Sequence, residues 1–243
     1  MKFKILSWNI WCGTYLNEVK EFLKNSNADI ISLQEVVIDE RGNIGEIIAK
    51  ELGYEYAHAV LMDIPVKFLP RYKSNEKEKI KYGPAILSKY PIVNSKVIEL
   101  SRNKKFIRYI IKADIKIKNE VFHVFSIHLK HTHQKQLDIQ DLEVKNLLSL
   151  LPKSNSIVIG DFNSLPKSTV IKKMDKNLEN SEKGSPIPTW SVYKDGCICL
   201  SKDKEIIYKL DYIFTSKNLK TNSFKVYESK ASDHLPISTI VKI

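Results

Sequence analysis

The strongest constraint in this chain is a repeated local pattern. Short runs rich in Ile, Val, Leu and Phe are each broken near their end by a carboxylate, a carboxamide or an imidazole. The runs are LSWNIW with Asn9, IISLQEV with Glu35, FSIHL with His128, IVIGDFNS with Asp161 and Asn163, KLDYIF with Asp211, and ASDHLPI with Asp233 and His234. Apolar runs of this length and composition read as buried strands. A polar group at the end of a buried strand costs free energy unless it is satisfied or used. One instance would carry little weight, but repetition from so few chemical types points to one shared site. Its oxygens and imidazoles, with no thiolate, suit a hard divalent cation and a phosphate.

The rest of the chain supplies elements to hold such strands. Leu16, Val19 and Leu23 have helical spacing over residues 16–25, and Asn43 with Glu46 resembles a capping box opening a helix that Gly53 ends. A long helix is expected over residues 133–151, stopped by Pro152, and a short one from Pro166. Strands are expected at PAILSK, IVNSKVIEL, FIRYIIKADIKI, VFHVFSI, KEIIYKLDYIFT, SFKVYES and PISTIVKI. In the third of these, Ile107, Tyr109, Ile111, Ala113, Ile115 and Ile117 alternate with Arg108, Lys112, Asp114 and Lys116, which reads as one buried and one wet face. Residues 67–82 are polar and aperiodic, the pattern of a solvated loop; as a substrate-contacting loop they would offer Lys67, Arg71, Lys73, Lys77, Lys79 and Lys81. With no repeat, linker or low-complexity tract, the expectation is one domain over residues 1–243: two packed, largely antiparallel sheets with helices outside, an α/β class.

Composition narrows the function. The chain has 39 Lys and Arg against 28 Asp and Glu, a formal charge of +11, which favours a polyanionic partner such as nucleic acid. Only four of the basic residues are Arg, the better geometric reader of phosphate, so biased composition accounts for part of that charge. No apolar run approaches the roughly 18 residues of a membrane span. Met1 leads directly into a strand, and Cys12, Cys197 and Cys199 form no disulfide framework, so a cytoplasmic protein acting as a monomer is expected.

Individual residues suggest roles. Asp161 and Asn163 are two apart, so in an extended chain they share a side, where a carboxylate and a carboxamide can hold an attacking water; an Asx-turn is the alternative. Glu35 lies within an apolar strand and is the primary candidate metal ligand, while Gln34 faces the other way. Asn9 offers a neutral oxygen for metal, water or phosphate. Asp233 and His234 can share a site only at a bend; Asp211 is then the candidate carboxylate to orient His234, leaving Asp233 as a metal or water ligand. His131 and His133 read as polar residues opening a helix. Arg108 is a candidate phosphate contact, and Trp190 either stacks on a base or caps the core.

In this order, WN, QE, HL, GDFN, LDYIF and SDHLPI resemble the endonuclease/exonuclease/phosphatase superfamily of metal-dependent phosphoesterases, from Asn9 to His234. That superfamily includes exonuclease III-like enzymes, pancreatic-type deoxyribonucleases, neutral sphingomyelinases and inositol polyphosphate 5-phosphatases. The resemblance implies a four-layered α/β/β/α sandwich, places Asn9 in the site, and gives His128 a role at the phosphate or leaving oxygen. The implied activity is Mg²⁺-dependent phosphodiester hydrolysis, with Mn²⁺ as a substitute and nucleic acid as the favoured substrate. A phosphatase or a phosphodiesterase acting on lipids or small molecules is the alternative. Exonuclease III-like enzymes carry a Tyr-containing motif where this chain has FSIHL, and Trp-Arg where it has Tyr208, Lys209 and Leu210, so the chain resembles the HL-containing branches instead. Because Glu35, Asp161 and His234 are all present, a non-catalytic binding module on the same fold is disfavoured.

Overall fold

The structure, a computed structural model, describes residues 1–66, 78–102, 107–132, 135, 137–193 and 206–243. Its strands are β1 (Lys2–Asn9), β2 (Ile30–Asp39), β3 (Gly42–Asn43), β4 (Glu55–His58), β5 (Met62–Pro65), β6 (Lys79–Ser88), β7 (Ile92–Arg102), β8 (Ile107–Ile117), β9 (Glu120–His128), β10 (Ser156–Asp161), β11 (Glu179–Asn180), β12 (Asp211–Thr215), β13 (Lys220–Val226) and β14 (Ile237–Lys242). Four α-helices are found among the described residues: α1 (Leu16–Ser26), α2 (Ile44–Leu52), α3 (Asp138–Leu150) and α4 (Thr169–Asn177).

The strands form two mixed sheets. One runs β13-β14-β1-β2-β6-β4, with β3 beside β2 and β5 beside β6; the other runs β11-β12-β10-β9-β8-β7. Each has one parallel pair, β1 with β2 and β9 with β10, in an otherwise antiparallel arrangement. Helices α1 and α2 cover the first sheet through Val19, Leu23, Ile44 and Ile48 packed on Leu6, Trp8, Ile31 and Leu33. On the second sheet, α3 and α4 pack Val144, Leu147, Val170 and Met174 onto Phe125, Ile127 and Val158. Between the sheets lies a third core of Phe3, Ile5, Ile30, Ala113, Ile115, Phe122, Val124, Ile157, Ile159 and Ile213. This is the expected α/β/β/α sandwich, and each buried strand side comes from the two-residue alternation of its sequence.

Local capping follows the sequence with two exceptions. The Asn43 side chain accepts from the Gly45 and Glu46 amides, and Gly53 ends α2 with φ 70°. Pro166, however, lies in a turn, and α4 begins at Thr169 because Ser168 provides the cap, its hydroxyl accepting from the Ile171 amide. Helix α3 begins at Asp138 rather than residue 133, with Asp138 and Asp141 in its first turn, where carboxylates complement the helix dipole. The start of β6 corrects the expected loop. Lys79, Ile80, Lys81 and Tyr82 alternate between exposed and half-buried positions, and Lys81 pairs with Asp63 at 2.7 Å. Lys67, Arg71, Lys73, Lys77, His133, Cys197 and Cys199 lie outside the described residues. Of the expected strand over residues 204–215, only Asp211–Thr215 is a regular strand, preceded by a bridge between Tyr208 and Trp190.

Candidate active site

The site is where the inter-sheet core changes chemistry. Along β1 the core-facing series is Phe3, Ile5, Ser7, Asn9; along β9 it is Phe122, Val124, Ser126, His128; along β10 it is Ile157, Ile159, Asp161. Each runs from apolar, with Ser on two of the strands, to a site residue. The polar layer is satisfied within itself: Gln34 Nε2 donates to Ser32 Oγ at 2.7 Å, Ser32 Oγ meets Ser126 Oγ at 2.6 Å, and Ser7 Oγ donates to Gln34 Oε1 at 3.4 Å. Gln34 is thus structural, but it lies on the inter-sheet face with Ser7 and Ser32 and does not face the other way, because the bulge at Glu35 breaks the alternation between the two residues. Sheet register then sets His128 beside Asp161 and Asp161 beside Asp211 in one row across β9, β10 and β12.

Asp161 sits at the centre of that row. Its Oδ2 faces Asn9 Nδ2 at 3.2 Å, Asn163 Nδ2 at 3.3 Å, His128 Nε2 at 3.5 Å and His234 Nε2 at 3.7 Å. Its Oδ1 accepts from the Asn163 amide at 2.8 Å, so the Asx-turn and the paired side chains occur together. Burial, with Asp211 adding to it, pushes the Asp161 carboxyl up to about 6 against the pull of His234. His234 Nδ1 is 2.9 Å from Asp211 Oδ2. Burial works against the imidazolium, but Asp211, Asp161 and Asp233 outweigh it and raise His234 to about 10. His128 goes the other way: burial and the nearby cations Arg108 and His234 hold it well below the usual imidazole range, so it is neutral. Two imidazoles therefore share one carboxylate in opposite charge states. His128 Nδ1 and Asp211 Oδ1 are buried and meet no hydrogen-bond partner among the described residues.

On the far side of Asn9 lie Glu35 and Asp233. Glu35 occupies a β-bulge, with the β2–β6 register shifting between Leu33 and Val36, and takes φ 57°. That backbone turns its side chain toward the site at a cost typical of functional positions. Burial, then Asp233 and Asp161, push the Glu35 carboxyl up to about 7, opposed by His234 and the Asn9 amide. Four carboxylates thus face a single imidazolium, and the fold holds them together at a cost that a bound divalent cation would offset. The donor set of Glu35 and Asp233 fits such an ion. Asp161, Asp211 and His234 also approach one another within 4.8 Å, but the hydrogen bond between Asp211 and His234 already occupies that pair.

The chain from residue 230 to 233 bends, and this brings Asp233 and His234 into the same site. The bend is anchored by Ser232 Oγ donating to the Asn9 carbonyl at 2.6 Å and by Trp8 Nε1 donating to the His234 carbonyl at 2.8 Å. Three readings of the sequence change. Asn9 presents its amide NH₂, not its oxygen, to Glu35 and Asp161, because Oδ1 accepts from the Trp11 amide at 3.1 Å. Arg108 is not on a wet face: it is 5% exposed, its Nη1 donates to the Tyr82 hydroxyl, and Glu143 and Asp161 lie within electrostatic reach. Trp190 is 3% exposed and its Nε1 donates to Asp233 Oδ2 at 2.9 Å, which leaves no open face for a base.

Three contributors were missed. His131 does not open a helix; its Nδ1 meets Asn163 Oδ1 at 3.0 Å, while Asn163 Nδ2 donates to the Leu129 carbonyl. Gln140 of α3 donates to the Lys130 and Asn163 carbonyls and fixes that loop. Cys12 Sγ lies 3.5 Å from Glu35 Oε2. For His131 the signal was its place three residues after His128, just past a strand end; Gln140 and Cys12 gave none.

A sequence profile of the Endonuclease/Exonuclease/phosphatase family matches residues 6–234, and the chain belongs to that family. It is accordingly a phosphoric ester hydrolase. Solved structures share the fold over almost the whole chain. A family protein from Leptotrichia buccalis has 18% identity and a TM-score of 0.74, covering 99% of this chain and 100% of that one. The human Nocturnin catalytic domain with bound sulfate has 20% identity and a TM-score of 0.72, covering 99% and 94%. A mannosyl-6-phosphatase from Bacteroides thetaiotaomicron has 16% identity and a TM-score of 0.69, covering 99% and 100%. No curated protein sequence matches. No helix among the described residues is long and apolar enough to cross a membrane.

Proposed function

We propose that the protein is a Mg²⁺-dependent phosphodiesterase acting on nucleic acid. The observation that carries this reading is Asp161, with Oδ2 inside 3.7 Å of both His128 and His234 and with Asn163 against the same oxygen. Glu35 and Asp233 would hold the cation, which when bound neutralises charge on the phosphate and the leaving oxygen. Mn²⁺, with similar ligand preferences, would substitute.

The chain's own groups do the rest. Asp161 accepts a proton from the attacking water as its oxygen bonds to phosphorus and the bond to the leaving oxygen breaks. Asn163, held by His131 and the Leu129 carbonyl, fixes that carboxylate and the water. Protonated His234, oriented by Asp211, stabilises the charge gathering on the phosphoryl oxygens and can protonate the leaving oxygen. Neutral His128 donates one hydrogen bond from Nε2. The Asn9 amide reaches toward the same region, and Arg108 beside His128, its Nε buried without a partner, supplies a cation for phosphate. Trp190 acts by holding Asp233. The excess of Lys over acidic residues favours nucleic acid over neutral-surface lipid.

The test is hydrolysis, with Mg²⁺ and with chelator, of single-stranded and duplex DNA, RNA, bis-p-nitrophenyl phosphate, sphingomyelin and sugar or inositol phosphates. The expected result is Mg²⁺-dependent cutting of nucleic acid that Asp161→Asn reduces by about 10²–10⁴-fold. Turnover confined to a phosphomonoester or lipid would replace nucleic acid as substrate and leave the catalytic roles standing.

A further inference from the structure

Three aromatic rings meet beside the Asn9 and Asp233 end of the site. Trp11 and Tyr193 stack with centroids 5.2 Å apart, Tyr15 stacks on Tyr193 at 5.9 Å, and Trp11 lies 6.3 Å from Tyr15. Both ends of this cluster are tied to site residues by backbone. The Trp11 amide donates to Asn9 Oδ1, and the amide of Val192, next to Tyr193, donates to the Asp233 carbonyl at 2.8 Å.

Neither tie needs an aromatic side chain. Yet Trp11 takes φ 47°, a backbone conformation unfavourable for a bulky residue, followed by Cys12 at 54° and Gly13 at 63°. Arg41, paired with Asp39, holds this turn by donating to the Gly13 carbonyl at 2.8 Å and the Cys12 carbonyl at 3.2 Å. Core packing accounts for Trp11, which is buried, but not for the other two rings: Tyr193 is half-buried, Tyr15 is 38% exposed, and neither belongs to a hydrophobic core. The fold thus keeps a partly open aromatic surface at the rim of a phosphate-handling site.

We propose that Tyr15 and Tyr193, backed by the buried Trp11, form a shelf that receives an unpaired nucleobase of the substrate strand, next to the phosphate held at the site. This rests on the nucleic-acid reading above and narrows it to single-stranded regions, since only an unpaired base offers its face to stack. The positive charge of the chain suits the strand's backbone, while the shelf supplies affinity that does not depend on phosphate.

The test compares two fluorescent oligomers of equal length and charge, oligothymidylate and its tetrahydrofuran counterpart without bases, by anisotropy in chelator so that no turnover occurs. The base-bearing oligomer is expected to bind about fivefold or more tightly. That preference should vanish in Tyr15→Ala and Tyr193→Ala and persist in Tyr15→Phe and Tyr193→Phe. Equal affinity of the two oligomers for the unaltered protein would overturn the shelf, without need of any variant. Mg²⁺-dependent cleavage of oligothymidylate, measured in parallel, separates the two claims. A base preference without cleavage leaves the shelf standing and removes the nuclease, whereas cleavage without a base preference does the reverse.

Discussion

The charge states of single side chains decide what the site can do. His234 is protonated because Asp211 and its neighbours hold it near 10, so it can meet negative charge at neutral pH and loses that ability as pH rises past its own value. Asp211→Asn removes the largest favourable cause, so the alkaline fall of kcat/KM should move from about pH 10 toward the ordinary imidazole range near 6.5. A pH-rate profile checks this; an unmoved alkaline limb would separate Asp211 from His234. Glu35 makes a second case, on stability. Its folded value of about 7 lies above the ordinary 4.5, so between those values the folded protein holds more protons than the unfolded one. Stability of the metal-free protein therefore falls as pH rises through that window and stays reduced above it. Glu35→Gln should thus stabilise the metal-free protein at pH 8 by on the order of 3 kcal/mol, at about 1.4 kcal/mol per pH unit between 4.5 and about 7. In a thermal melt this is a rise of roughly 6 °C or more. The same variant should lose the stabilisation that added Mg²⁺ gives the unaltered protein.

At the scale of elements, the site depends on how closely strands and turns approach. Gly160 takes φ 149°, and a Cβ there would lie 2.1 Å from the Ile127 carbonyl oxygen on the neighbouring strand. Gly160→Ala must part β9 from β10 just where His128 and Asp161 stand side by side. The expected cost is about 2–4 kcal/mol in denaturant unfolding, with activity lost beyond what stability explains. The Trp11–Gly13 turn is a second such device, since it orients Asn9 through one amide and sets Cys12 against Glu35. Arg41→Ala should weaken apparent Mg²⁺ affinity by about 10-fold or more while changing kcat at saturating Mg²⁺ far less; a Mg²⁺ titration of the rate checks it. Much of this scale was legible in the sequence. Polar residues closing apolar runs marked Asn9, His128 and Asp161 as strand ends, and Asn43 and Gly53 marked the ends of α2. What such patterns could not show came from contacts distant in sequence. Arg108 sits in a polar row with Lys112 and Lys116, but Glu143 of α3 and Tyr82 of β6 bury it. The Glu35 bulge is a backbone event that leaves no mark on side-chain pattern, and Trp190 was undecided until Asp233 supplied a partner for its indole.

For the whole molecule, the two sheets meet along a core that is apolar through most of its depth and polar at one end; there Asn9, His128, Asp161 and Asp211 stand at strand ends, Glu35 on a bulge within β2, and Asn163, Asp233 and His234 on the adjoining connections. The net charge of +11 acts at this scale. Affinity for single-stranded DNA should fall with salt, with a log-log slope of about −0.7 for each contacted phosphate. A salt-independent affinity would show that the charge is compositional and not a binding surface. The most direct test of the central claim is a Mg²⁺ titration of bis-p-nitrophenyl phosphate hydrolysis alongside calorimetric Mg²⁺ binding, for the unaltered protein, Glu35→Gln and Asp161→Asn. The account expects Glu35→Gln to bind Mg²⁺ at least about 10-fold more weakly and to regain rate as Mg²⁺ is raised. Asp161→Asn should still bind Mg²⁺ and remain inactive at every concentration. Mg²⁺-independent hydrolysis, or an Asp161→Asn protein that turns over normally, would contradict it.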